Sequence, residues 1–355
     1  MRGHRCASRL VLVVGVAVVS LLGGCGSSAS PSPPAMAPTG MASATPVAPS
    51  PSATPSAMPS ATPAPATPAQ TPSQSDLSAG TMVDVGGYSL WVHCAGTGSP
   101  TIVWEAGSTD SSGSVSVYLA QFASVSRTCI YDRAGHGRSQ DSPLGLGATE
   151  SHWLLTVTNL HKLLVNAGIS GPYVIAGHSL GGLYARMFAA AYPHDVVGVV
   201  LVDAVNEDLD SDASIKSCPQ HPPVWGCAGD DPGSWPWAGH PSDRATDLAY
   251  VQQLTHGKVA GSLGALPLVV LSHDPALAPM GQAFEPVWTT AQQGLATASS
   301  NSVRAVAVGS PHYIMDFQPK LVIEALREVV AAARASDHTL PPCGSAFTQV
   351  GGACQ

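Results

Sequence analysis

Charge is scarce in this chain: 11% of its 355 residues are Asp, Glu, Lys or Arg, and the net balance is −8. So few lysines and arginines argue against nucleic acid as a partner. An acidic balance gives no electrostatic pull toward anionic lipid either, so attachment to a membrane would have to be covalent. The surface must lean on Ser, Thr, Gly and Gln, while a 45% hydrophobic content supplies material for a large core. Metal-ligand spacing is missing as well: His221, His240, His256 and Asp230-Asp231 do not form such a set, and no metal is expected. The glycine-rich stretch Asp132-Arg133-Ala134-Gly135-His136-Gly137 lacks a following lysine and a helix at the right distance. That excludes a nucleotide-binding loop, and no organic cofactor is implied.

The first 80 residues cannot build a core, which leaves about 275 for one large domain. Residues 1–24 carry Arg2, Arg5 and Arg9 ahead of an apolar run from Leu10 to Leu22, the pattern of a secretory signal rather than of a spanning helix. Their removal takes away three arginines and no acid, so −8 becomes −11. Leu22-Gly23-Gly24-Cys25 resembles the lipobox of bacterial lipoproteins, which implies diacylation of Cys25 and attachment at the outer face of the cell membrane or in the cell envelope. Several acyl chains on one residue would anchor stably, since each buried CH₂ contributes about 0.8 kcal/mol. Residues 25–79 repeat Ala-Thr-Pro and Pro-Ser-Ala units with no charge before Asp76, a disordered, polyproline-like composition. A spacer through an envelope and simple filler both fit it.

From residue 80 to 355 the pattern changes to alternating strands and helices. Thr81–Val85 and Tyr88–Cys94 flank Gly86-Gly87 as a hairpin, and Thr101–Trp104 and Thr128–Tyr131 follow as strands. The centre is Tyr173-Val174-Ile175-Ala176-Gly177-His178-Ser179-Leu180-Gly181-Gly182, an apolar strand running through a sharp turn into a helix over Leu180–Tyr192. Gly177-His178-Ser179-Leu180-Gly181 fits G-x-S-x-G, a nucleophile elbow in which small neighbours allow helix and strand to approach. A serine hydroxyl is a poor nucleophile at neutral pH, so it needs a base and oxyanion donors nearby. The turn supplies one donor, the N–H of Leu180. Val196–Val202 is a β-branched run typical of a central parallel strand, and Leu266–Leu271 and Val303–Val308 complete eight strands.

This pattern, together with the loop Tyr131-Asp132-Arg133-Ala134-Gly135-His136-Gly137-Arg138-Ser139, resembles the α/β-hydrolase superfamily, most closely its bacterial serine hydrolases, over roughly residues 81–335. The resemblance implies a mostly parallel eight-stranded sheet with helices on both faces and a short cap inserted at about 205–262. It nominates the N–H of Ser108 as second oxyanion donor and His312, in Gly309-Ser310-Pro311-His312-Tyr313 after the last strand, as general base. Two aspartates satisfy the chain order of serine, acid, histidine: Asp203 at the end of the strand after the elbow, and Asp274 after the next strand. Asp203 is preferred, because it ends an apolar strand at the crevice where such sheets bind ligands. The glycine-bearing loop 131–139 is expected to be scaffolding.

Besides Cys6 and Cys25 there are six cysteines. Cys218 with Cys227, and Cys343 with Cys354 in a C-terminal tail (337–355), are close in sequence within stretches that lack a regular pattern. Each of these two pairs is a disulfide candidate, and Cys94 and Cys129 are a third, a cross-strand bridge, since they fall on strands two and four, which the resemblance sets side by side. The expected function is an exported, lipid-anchored, monomeric serine hydrolase that cleaves small ester or lipid-like substrates through Ser179, His312 and Asp203. Acyl transfer and cofactor-free peroxidation would use the same apparatus. The competing class is a ligand-binding lipoprotein without catalysis.

Overall fold

The computed structural model describes residues 71–108, 110–142, 152–206, 259, 261–279, 281–282 and 284–355. The signal segment 1–24, Cys25, most of the tether, Cys218, Cys227 and nearly all of the expected cap lie outside these residues.

The expected tether ends earlier than residue 79. Gln74–Ala79 (α1) is helical: the Ser73 side chain accepts the Asp76 N–H, and the Asp76 carboxylate accepts the Ser73 N–H. Leu77 on this turn is buried in the core.

Among the described residues nine strands form one sheet. They are Thr81–Asp84 (β1), Ser89–Ala95 (β2), Thr101–Glu105 (β3), Thr128–Tyr131 (β4), Tyr173–His178 (β5), Val196–Val202 (β6), Leu268–Ser272 (β7), Ser302–Ala307 (β8) and Gly352–Cys354 (β9), in the spatial order β1-β2-β4-β3-β5-β6-β7-β8-β9. The six strands from β4 to β8 in that order run parallel, and both edges are antiparallel. The ninth strand corrects the expectation of eight. It comes from the C-terminal tail, where Ala353 pairs with Val306 and the Cys343 and Cys354 sulfurs are at disulfide distance.

Side chains of the central strands alternate between two cores, as the two-residue repeat of a strand requires. On one face Ile175, Val199, Leu201 and Val270 pack with His152–Asn166 (α3), Leu180–Ala191 (α4) and Glu285–Ala296 (α5). On the other, Val174, Ala176, Val200 and Val269 pack with Ser112–Ala123 (α2) and Pro319–Arg334 (α7), which Ile314–Phe317 (α6) precedes. Ser345–Thr348 (α8) lies in the tail. No helix among the described residues is long and apolar enough to cross a membrane. Cys94 and Cys129 are direct partners across β2 and β4, with their sulfurs 2.07 Å apart.

Candidate active site

The site gathers at the carboxyl ends of β3, β5, β6, β7 and β8. β5 stops at His178 and α4 begins at Leu180, so Ser179 makes the whole turn, at φ 54° and ψ −124°. An L-residue is disfavoured there and stays only if its surroundings over-determine it. They do: the Ser179 N–H donates to the Val202 carbonyl at 3.0 Å, and its own carbonyl accepts the N–H of Val205 at 2.9 Å and of Gly182 at 3.0 Å. The glycines make room. A Cβ on Gly177 would lie 2.3 Å from the Gly181 carbonyl oxygen, one on Gly181 2.2 Å from that of Glu105, and one on Gly182 2.2 Å from the Ala204 Cβ.

Asp203 directly follows β6 and is also left-handed, at φ 46°. Its N–H donates to the Leu271 carbonyl at 2.7 Å, and the residue is fully buried. Oδ2 of its carboxylate lies 2.6 Å from His312 Nδ1. Oδ1 accepts the indole N–H of Trp288 at 2.9 Å and the main-chain N–H of His273 at 3.2 Å. Burial alone would raise this carboxyl, but the hydrogen bonds from His273 and His312 outweigh it and hold it far below its ordinary range.

His312 sits in the loop after β8. The competing acid, Asp274, is engaged in building that loop: its N–H donates to the Ser310 carbonyl at 2.9 Å, and its carboxylate accepts the N–H groups of Gly309 at 2.8 Å and Ala276 at 2.9 Å. Burial lowers the His312 imidazole below its ordinary value; the Asp203 hydrogen bond opposes this, and charge on His178 and His273 adds to the lowering. The Trp288 ring meets His312 edge-on, with centroids 5.7 Å apart. His178 places Nε2 3.2 Å from the His312 carbonyl oxygen and Nδ1 3.4 Å from Asp110 Oδ2, so the elbow and the histidine loop are joined directly.

Ser179 and His312 line one cavity with Gly107, Ser108, His178, Pro279 and Tyr313. Of the two nominated oxyanion donors, Ser108 lies in this lining. Leu180 is the first residue of α4, where an N–H has no acceptor within its own helix. The loop that carries Ser108 is gripped from β4: Arg133 donates to the carbonyls of Ala106 at 2.6 Å and Gly107 at 2.5 Å. Beneath it the buried Glu105 accepts the Tyr131 hydroxyl at 2.8 Å. Burial pushes Glu105 up to about 7, against the pull of Arg133 and Tyr131. Asp132 ties its loop to the start of α2 by accepting the Ser112 N–H at 2.5 Å, and closes the loop by accepting the Arg138 N–H at 2.9 Å. The loop 131–139 thus orders the segment that carries Ser108.

Asp203, His273 and His312 each bring one potential ligand atom to within 4.8 Å of the others, a spacing a metal ion could bridge. Here both histidine nitrogens are engaged by one oxygen of Asp203, at 2.6 Å each.

A family model described as serine aminopeptidase, S33, matches residues 101–210, which hold Ser179 and Asp203. The uncharacterized protein YqjL of Bacillus subtilis is 26% identical over 251 residues, 68% of this chain and 87% of its own. Lipase LipV of Mycobacterium tuberculosis is 42% identical over 73 residues, 20% of this chain and 25% of its own. Two further curated relatives are spanned over only 14% and 37% of their lengths. A crystal structure of a DbjA mutant superposes with a TM-score of 0.50 at 15% identity, covering 72% of this chain and 98% of that one. The chain has the α/β-hydrolase fold.

Within this α/β-hydrolase fold, sequence reasoning overlooked two partners of Asp203, His273 and Trp288, and Glu285, which holds the far side of His273. The one signal was local: β7 runs out into Ser272-His273-Asp274 at the same crevice edge, and a histidine beside a candidate acid warranted attention.

Proposed function

We propose that the protein is a serine hydrolase acting on carboxylic esters. What supports this reading is one arrangement: a strained serine and a histidine line the same cavity, and the histidine's far nitrogen is 2.6 Å from a buried carboxylate. Ser179 Oγ bonds to the ester carbonyl carbon while His312 Nε2 takes the hydroxyl proton. Asp203 accepts the Nδ1–H, fixes the tautomer and stabilises the imidazolium. The N–H groups of Leu180 and Ser108 receive the oxyanion. Collapse of the intermediate breaks the C–O bond, and the alcohol leaves with the proton from His312. Water, deprotonated by His312, then cleaves the acyl-enzyme to the acid and restores Ser179.

The experiment is labelling with a fluorophosphonate, which loses fluoride as Ser179 Oγ bonds to phosphorus. Wild type is expected to label and Ser179→Ala to stay unlabelled. A folded wild type that resists the probe would favour the ligand-binding alternative.

The reading extends to an exported lipoprotein held at the outer face of the membrane through Cys25. Its support is the basic and apolar leader with its lipobox-like end, and the two sulfur pairs at bonding distance, which suit an oxidising compartment. Cys25→Ala is expected to release the protein into the medium, and retention in the membrane fraction would remove the anchor from the account.

A further inference from the structure

Asp203 serves two histidines. Nδ1 of His273 and Nδ1 of His312 both lie 2.6 Å from the same oxygen, Oδ2. On its other side His273 Nε2 lies 2.6 Å from Glu285 Oε1. A neutral imidazole has one N–H and one bare nitrogen, and an ionised carboxylate can only accept. With both acids ionised, a bare nitrogen facing either one at this distance would set lone pair against lone pair. The ring has nowhere else to turn: its side chain is 1% exposed and it lies nearly parallel to the Trp288 ring, with centroids 6.2 Å apart.

We infer that His273 is a positioning residue for the reaction, a buried imidazolium clamped between Asp203 and Glu285 that fixes the acid and restrains the basicity of His312. The inference rests on the serine-hydrolase reading. Two donors to Oδ1, the Trp288 indole N–H and the His273 main-chain N–H, lock the carboxylate plane, and the His273 ring locks Oδ2, so Asp203 has no freedom to swing away from His312. The groups facing His273 are Asp203 at the end of β6, Glu285 at the start of α5 and His312 after β8. Arg304 on β8 instead reaches Ser272 Oγ at 3.4 Å. His312 additionally faces His178 from the elbow strand, with ring centroids 4.7 Å apart. The direction of titration agrees: burial lowers His273, yet its bonds to Asp203 and Glu285 raise it overall.

A cation beside Asp203 has a definite kinetic consequence. It draws off part of the carboxylate's attraction for a proton on His312, so His312 remains a free base to lower pH. Without that cation, His312 would become protonated, and the enzyme inactive, at higher pH.

The test is the pH dependence of the fluorophosphonate labelling rate in the full chain. His273→Gln is expected to move the acid limb upward by about one pH unit, so that labelling below the limb slows about tenfold relative to wild type. Glu285→Gln should move it the same way by less. A merely structural role would depress the rate at every pH and leave the limb in place; that result, or a shift to lower pH, overturns the proposal. If His273→Gln does not fold, Glu285→Gln and ¹⁵N spectra of histidine-labelled wild type decide. Between about pH 6 and 8 one buried ring should show both nitrogens protonated, and a neutral-ring signature for it refutes the inference. Wild type that labels at no pH would instead sink the hydrolase reading, while the spectra still report on the ring.

Discussion

Gly181 lies so close to Glu105 that a Cβ on the glycine would stand 2.2 Å from the glutamate's carbonyl oxygen and 2.5 Å from that of Ala106. The start of α4 is thereby pressed against the end of β3, which brings Leu180 and the Ser108 loop to one cavity.

Because the atoms met are main chain, they cannot rotate away. Gly181→Ala is expected to cost at least about 1–3 kcal/mol, the range for overpacking a rigid interior. Urea unfolding would show this as a lower midpoint with an unchanged slope. A midpoint equal to wild type would mean that the elbow has slack the contacts do not reveal.

Asp203 and Asp274 should separate under the same isosteric change. On the proposed mechanism, Asp203→Asn presents an amide where an anion stabilises the imidazolium, so ester turnover should fall by about 10³ to 10⁴. Asp274→Asn removes one acceptor from a loop that keeps its Ser310 bond, so a loss below about tenfold is expected. Steady-state rates on a short-chain model ester check both, and a reversed ranking would retire Asp203 as the acid.

Arg133 holds two successive carbonyls of the segment that leads to Ser108, the proposed oxyanion donor, with two nitrogens. Lysine has a single charged nitrogen and cannot reproduce that fork. Arg133→Lys is therefore expected to lower kcat by about 10- to 100-fold with KM little changed, since the oxyanion exists only in the transition state. An increase confined to KM would place its role in substrate binding.

The chain's stability should carry a pH term from Glu105. Its folded value of about 7 lies above the ordinary 4.5, so its favourable contribution is complete below about pH 4.5 and is lost as pH rises toward 7. The full loss is on the order of 3 kcal/mol. Glu105→Gln, which keeps an acceptor for Tyr131, has no such term. Its stability relative to wild type should therefore improve steadily from pH 4.5 to 8 in denaturant titrations, and a constant difference would contradict the assignment.

The elbow and the order of strands were legible because they are written in contiguous residues. Gly-x-Ser-x-Gly fixes a turn, and the β-branched run 196–202 fixes a central strand, whatever lies elsewhere. The clamp on Asp203 was not, since His273 and Trp288 stand 70 and 85 positions away and meet it only because β6, β7 and α5 converge. β9 hid for a different reason: Gly-Ala-Cys has no strand signature and pairs only because the tail folds back on β8. The short helix α1 was masked by the proline-rich composition before it, although Ser73 and Asp76 hold its capping signal.

That returning tail has a consequence for handling the protein. β9 covers the outer side of β8, and the Gly351 carbonyl accepts the Val308 N–H at the point where the chain departs toward His312. Clipping by a protease near residue 340 would bare a row of unpaired amides on β8, inviting strands of other molecules to add there. A nicked preparation should therefore be lost to clumping rather than to damage in the crevice that holds Ser179 and His312.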